Sequence, residues 1–289
     1  MKIKQFKATA PKFNVLNNLA VTIQTGTKLD ILFALDQLSS SSMFKGKTGW
    51  QVNFAKLRAV IVDGQAQYSI FAMGGNSKLP FVAFSTLPGV TCPGAGACLD
   101  FCYSYRAWRY PASFMRQAQN AYLMRFAPNK ILEAFDTVDA KFSSAYDMRL
   151  YVDGDFASAL DVDFWFEAIK ARPKARVYGY SKSFEALLSY AGTWPENYML
   201  NVSSGHNASA ATVEKIKALP ITRGEFIAVS LGKKIKSTDH GTKATNSALR
   251  EAFGSKAFPC PGTCGTCTGK GHACGMQALR GIPIIIAIH

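Results

Sequence analysis

Cys92, Cys98 and Cys102 share one short glycine-rich loop, and Cys260, Cys264, Cys267 and Cys274 share another, with no cysteine between the two groups. Thiolates are the soft donors that bind zinc and iron–sulfur clusters, and the division of the seven splits the chemistry they could do. Three thiols on a loop hold a 4Fe-4S cluster by three of its irons and leave the fourth iron open to another ligand, which is where catalysis can start. Four thiols make a closed centre, either a second 4Fe-4S cluster or tetrahedral zinc. An odd count in a long chain without a signal segment suits metal ligation better than disulfide pairing.

The first loop, Thr91 to Tyr103, spaces its cysteines C-x5-C-x3-C. Gly94 and Gly96 let its backbone fold tightly enough for the sulfurs to converge. The second, Cys260 to Cys274, is too rich in glycine for a helix and too short for a core of its own, so metal ligation is the most economical force that orders it. Cys260-Pro261 leans towards iron. His272 either replaces a thiolate or faces solvent, and a lone histidine in a basic glycine-rich loop favours solvent. A cysteine of this group could instead serve as fourth ligand to the first cluster, which would close it.

These loops need a frame, and from Leu79 onward the chain alternates strand and helix patterns. Strands are predicted at Leu79–Phe84, Met148–Asp153, Arg176–Tyr180, Asn197–Ser203, Phe226–Leu231 and Pro283–Ile288. Between them fall helical patterns: a long one opened by Pro111 and carrying Ile131, Phe135, Val138 and Phe142, then Phe164–Ile169, a helix capped by Ser183, and Val213–Leu219. Single helices between strands imply parallel pairing through right-handed crossovers, so the fold class is α/β, a parallel barrel or partial TIM-like barrel. The C-terminal edge of such a sheet is where ligands bind, and polar residues gather there: Asp153 and Asp155, Tyr180 to Lys182, Ser203, Ser204, His206 and Ser230. Asp153, Asp155, Lys182 and Ser203 are the candidate cofactor-binding residues. Either carboxylate could hold a ligand amine or a cation, or cap a helix, or pair with Arg149.

Residues 1–75 read as a β-rich region packed on the main domain, with strands at Gln51–Phe54 and Ala59–Val62 and an Asp63-Gly64 hairpin before Gln67–Met73. Residues 76–289 form the barrel-like domain, including a cysteine-rich metal loop at 258–276. The serine run at 39–42 with Gly46-Lys47-Thr48 resembles a phosphate loop, but it lacks the first glycine and a following helix pattern. Tyr103, Tyr105, Arg106, Trp108, Arg109 and Tyr110 interleave rings and cations beside the first loop, a strip that either stacks on bases or shields a cluster from water, with shielding favoured.

A three-cysteine loop after the first barrel strand, with Phe101 before its last cysteine, resembles the radical S-adenosylmethionine (SAM) enzymes, although their spacing is C-x3-C-x2-C. That resemblance implies SAM on the open iron and gives Asp153-Gly154-Asp155 the place of the amine-binding motif. Over about 200 residues the chain is more similar to the gene-product-eighty-eight family of phages and plasmids. Thr91-Cys92-Pro93-Gly94, Cys102-Tyr103, Asp153-Gly154-Asp155-Phe156, Tyr180-Ser181-Lys182-Ser183, the closing cysteine group and the final strand to His289 carry this similarity, which implies a mobile-element protein whose cysteines are ligands.

The net charge of +14 is unevenly placed: residues 1–60 carry nine Lys/Arg against two Asp/Glu, residues 201–289 eleven against four, and the middle is balanced. Basic ends around a neutral centre are a possible footprint for nucleic acid. No apolar run is long enough to span a membrane, and the N-terminus has no signal-peptide core, so the expected location is the cytoplasm. The leading expectation is therefore a cytoplasmic iron–sulfur protein with one or two 4Fe-4S clusters, zinc being the alternative at the second group, and radical-SAM-like chemistry. The other is a non-enzymatic, metal-stabilised nucleic-acid-binding protein in phage or plasmid replication or maintenance.

Overall fold

The computed structural model describes residues 11–74, 80–233, 235–236, 238–265, 267–268 and 271–288. Leu79 and His289, assigned above to the first and last parallel strands, lie outside them. The N-terminal region is helical where strands were expected: α1 (Pro11–Thr25), α2 (Lys28–Ser40) and α3 (Thr48–Asp63). Both segments read as strands belong to α3, where Trp50, Phe54, Leu57 and Ile61 recur at helical spacing and are buried. Gly64 is no hairpin residue but the left-handed cap of α3, at φ 69°. A helix does follow Gly46-Lys47-Thr48, but helix α2 rather than a strand precedes that loop, so it still lacks a phosphate loop's setting.

The chain continues through β1 (Ala72–Met73), β2 (Val82–Ala83), α4 (Pro111–Phe126), α5 (Pro128–Asp139), β3 (Tyr146–Leu150), α6 (Ala159–Lys170), β4 (Ala175–Ser181), α7 (Phe184–Leu188) and β5 (Tyr198–Ser203). It ends with α8 (Ala210–Lys217), β6 (Thr222–Val229), α9 (Lys243–Phe253), β7 (Phe258–Pro259) and β8 (Ile284–Ala287). The long helix predicted after Pro111 is two helices, because Pro128 cannot continue α4 and instead opens α5.

One eight-stranded sheet has the order β1-β2-β3-β4-β5-β6-β8-β7, parallel except for β1. It is an open sheet with β1 and β7 at its edges, so the expected barrel is not closed. From β2 to β6 each crossover steps one strand in the same direction, and right-handed crossovers of that kind put every helix on one face. Side-chain alternation agrees. Met148, Leu150, Val177, Leu200 and Val202 join the helix-covered core together with Leu16 and Phe54 from the N-terminal region and Phe114 of α4. Ile285 and Ala287 meet Leu249 of α9 on the same side. The other face carries Phe81, Arg149, Tyr178, Tyr180, Asn201, Phe226 and Ile284, and the cysteine-rich segment lies against it. No described helix is long and apolar enough to cross a membrane.

Candidate metal centre

The first cysteine loop is pressed onto the C-terminal edge of the sheet. The amides of Gly96 and Cys98 donate to the Gly205 carbonyl at 2.9 and 3.2 Å, and Asn207 N–H donates to the Gly94 carbonyl at 3.0 Å. The two loop glycines are needed for this seat rather than for the fold of the loop itself. A Cβ at Gly94 would stand 1.6 Å from the Lys182 carbonyl oxygen, and one at Gly96 would stand 2.8 Å from that of His206. Gly205, at φ +75°, lets the β5 end come equally close to Cys98.

The four candidate cofactor residues are all at this edge, but they are largely engaged with the protein. Asp155 is buried and accepts from Ser181 Oγ (2.7 Å), Lys182 N (2.7 Å) and Phe156 N (2.8 Å), so it ties β4 down beneath the loop. Lys182 Nζ donates to Ser203 Oγ at 2.7 Å. Asp153 accepts from Gln117 Nε2 at 3.0 Å, and Gln117 in turn accepts from Trp108 Nε1 at 2.9 Å. Burial pushes the Asp153 and Asp155 carboxyls above the usual range, against the hydrogen bonds that favour their charged forms.

Burial likewise pushes the thiols of Cys92 and Cys102 up. The nearby Asp155 carboxylate adds to this at Cys92, while the Gly89 amide and Lys182 oppose it. At Cys102 the amides of Ser104 and Tyr105 oppose it. Thiols in such surroundings stay protonated until a cation compensates their charge. Beside them the aromatic–basic strip is divided: Trp108 is fully buried and packs on Tyr105 at 5.1 Å between ring centres, while Tyr103, Arg106, Arg109 and Tyr110 are exposed. A cavity of about 440 Å³ opens next to the loop, lined by Asp100, Phe101, Arg106, Ser230, Lys233 and Ile288. Only Ser230 of these was named as a strand-end residue from sequence; Asp100 and Phe101 belong to the cysteine loop itself, and its spacing was the one available clue.

The second group lies beneath the sheet on the face opposite the helices. Tyr180 Oη donates to Cys274 Sγ at 2.7 Å, and Asn201 Nδ2 donates to the Cys274 carbonyl at 3.0 Å. Buried Arg223 holds Asn201 Oδ1 at 2.6 Å and the carbonyls of Leu279 and Ile282 at 2.9 and 2.8 Å, fixing the return of the segment to β8. Two backbone amides donate to sulfur: Gly262 N to Cys260 Sγ (3.4 Å) and Ala273 N to Cys267 Sγ (3.3 Å). Burial pushes the Cys260 thiol up to about 11 and the Cys274 thiol up to about 12. His272 does not face solvent as the sequence suggested. It is buried between Phe81 and Tyr178, at 4.7 and 4.4 Å between ring centres, with Nε2 3.5 Å from Asp147 Oδ1. Phe81 and Tyr178, which form the slot it enters, lie far from it in sequence, so no local pattern displays that slot.

The donor chemistry of each group fits a thiolate-bound metal centre. All seven cysteines are free thiols, sulfur accepts amide hydrogens at the second group, and three buried polar atoms there, Arg149 Nε, Tyr178 Oη and His272 Nδ1, have no hydrogen-bond partner among the described residues. The spacing does not close around a point: among the described residues no three His, Cys, Asp or Glu side chains converge as a metal-holding set. For Cys92, Cys102, Cys260 and Cys274, the cysteine charges felt most strongly come from their own group, which keeps the two groups distinct.

No curated protein and no solved structure matches the chain. A family model described as Gene product 88 matches residues 50–278, well over half of the sequence, and takes in both cysteine groups. The protein belongs to the Gene product 88 family.

Proposed function

We propose that the protein is an iron–sulfur protein with an open cluster held by Cys92, Cys98 and Cys102 and a closed four-thiolate centre held by Cys260, Cys264, Cys267 and Cys274. The observation that carries this reading is the seating of the three-cysteine loop on the C-terminal strand edge, beside a cavity, while the four-cysteine group lies against the sheet face opposite the helices. When bound, an open 4Fe-4S cluster supplies a site for one-electron chemistry on a ligand at its free iron.

The protein's own residues would do the rest. Asp155 ties Lys182 and Ser181 under the loop and so fixes the approach of Cys92. Trp108 and Tyr105 exclude water from the loop's inner side. Arg106 and Lys233, against the single carboxylate of Asp100, make the cavity suited to an anionic substrate, and Phe101 gives it an apolar wall. A radical-SAM-like reaction belongs to this proposal as its most specific form.

Anaerobic purification with quantification of iron, acid-labile sulfide and zinc tests the reading. Iron and sulfide should be retained, and should persist in a Cys260→Ser/Cys264→Ser/Cys267→Ser/Cys274→Ser variant if the first loop holds a cluster. A colourless protein carrying zinc alone would overturn it. Reductive release of 5′-deoxyadenosine from added SAM would then separate enzyme from cluster carrier.

A further inference from the structure

We propose that Arg149 is the shared counter-charge of both cysteine groups, joining them into one coupled unit. This rests on the metal-centre reading above. Arg149 stands on β3, on the sheet face opposite the helices, and reaches towards both groups. One guanidinium nitrogen donates to Tyr103 Oη at 3.2 Å, and Tyr103 directly follows Cys102. The guanidinium carbon lies 4.6 Å from the centre of the Tyr180 ring, whose hydroxyl donates to Cys274 Sγ at 2.7 Å. Cys264 is also within its electrostatic field. The path from the first loop to the second group is thus Tyr103, Arg149, Tyr180, Cys274, with a direct contact at each step.

The charge balance around Arg149 is incomplete without the thiolates. A guanidinium keeps its proton at any physiological pH, and Arg149 is half-buried, so the part of it shut off from water calls for a compensating anion. Arg149 takes part in no ion pair among the described residues, and its Nε is buried without a partner. Asp153 lies within its electrostatic influence but is bonded to Gln117. The tyrosines supply ring faces and hydroxyl oxygens. Metal-bound thiolates carry the excess negative charge that such a half-buried cation matches, and one cation between two such centres stabilises both. A residue that merely packed the sheet could be replaced by an apolar side chain of similar length.

Zinc competition against a chromogenic chelator on the full chain tests this. The second group is read in a Cys92→Ser/Cys98→Ser/Cys102→Ser background and the first in the Cys260→Ser/Cys264→Ser/Cys267→Ser/Cys274→Ser background. Arg149→Met is expected to weaken zinc binding at each group on the order of tenfold, with Arg149→Lys in between. Weakening confined to one group, or absent from both, overturns the proposal. If Arg149→Met fails to fold by circular dichroism, Tyr103→Phe is compared with Arg149→Lys. Tyr103→Phe should weaken the first group alone and Arg149→Lys both, and an indifferent first group would overturn the coupling. If the chain with Arg149 intact binds neither zinc nor iron at either group, the metal-centre reading fails and takes the coupling with it. Normal binding that ignores position 149 sinks the coupling alone.

Discussion

Replacing Gly94 by alanine tests whether the three-cysteine loop is seated where the structure puts it. The residue has no positive φ, so alanine meets no backbone strain, and the effect comes from contact alone. The added methyl would stand 1.6 Å from the Lys182 carbonyl oxygen and 2.4 Å from its carbon, where ordinary contact begins at 3.4 Å. The loop must therefore withdraw by about 1.8 Å, the difference between 3.4 and 1.6 Å, because the obstacle is backbone and cannot rotate away. That retreat breaks the bonds from Gly96 and Cys98 to Gly205 and from Asn207 to Gly94. At about 1 kcal/mol each, their loss costs about 3 kcal/mol. For a chain of this size the melting temperature should fall by roughly 6 to 10 °C. Urea unfolding followed by tryptophan fluorescence reads the stability, and iron content reads the site: if the proposed cluster is there, it should be lost while any metal at the second group is kept. A Gly94→Ala protein within about 0.5 kcal/mol of the parent, the scatter of ordinary surface changes, with full iron content, would refute the seating of the loop against β4.

Gly49 is the matching control: it lies in the first turn of α3, where an added Cβ meets only Pro111 at 3.9 Å, so Gly49→Ala should stabilise by about 0.5 to 1 kcal/mol in the same urea experiment. Gln117→Leu removes the acceptor of Trp108 Nε1 and the donor to Asp153 at once, and should cost about 2 to 3 kcal/mol with a shift in tryptophan emission. Asp161 caps α6 through Ser158 and Ala157, and burial pushes its carboxyl up to about 6. The folded protein then holds this proton between about pH 4 and 6 while the unfolded chain does not, so the group's contribution to stability grows as pH falls through 6 and is lost as pH rises through it. Asp161→Asn should remove that share, narrowing the stability difference between pH 4.5 and 7 by about 1 to 2 kcal/mol, and an unchanged difference would contradict the shift.

Strands β3 to β6 and β8 were legible because each is a short apolar or alternating run bounded by turn residues, and their parallel order follows from the single helices between them. The N-terminal helices were misread where β-branched Val60, Ile61 and Val62 run together, a local strand signal that the helical spacing of Trp50, Phe54, Leu57 and Ile61 overrides once they pack on α4. Helix α9 was missed because it is polar overall and buries only Thr245 and Leu249, so its apolar face is short. The candidate cofactor residues lie at the C-terminal edge of the sheet, where the sequence places them, but Asp155 and Lys182 are bound to Ser181, Ser203 and backbone partners far from them in sequence, which no local pattern displays.

By itself the sequence determined the available donors, since seven thiols in two short segments are a matter of residue type and spacing, and it determined that the first loop follows a strand to the C-terminal edge of the sheet. Only the tertiary structure decided which side of the sheet each group occupies. Alternation along a strand sends neighbouring residues to opposite faces, and a parallel register brings Arg149, Tyr178 and Tyr180 together from separate strands. That register is why the four-cysteine group rests on a cationic, aromatic floor, and why one arginine stands between it and the loop above.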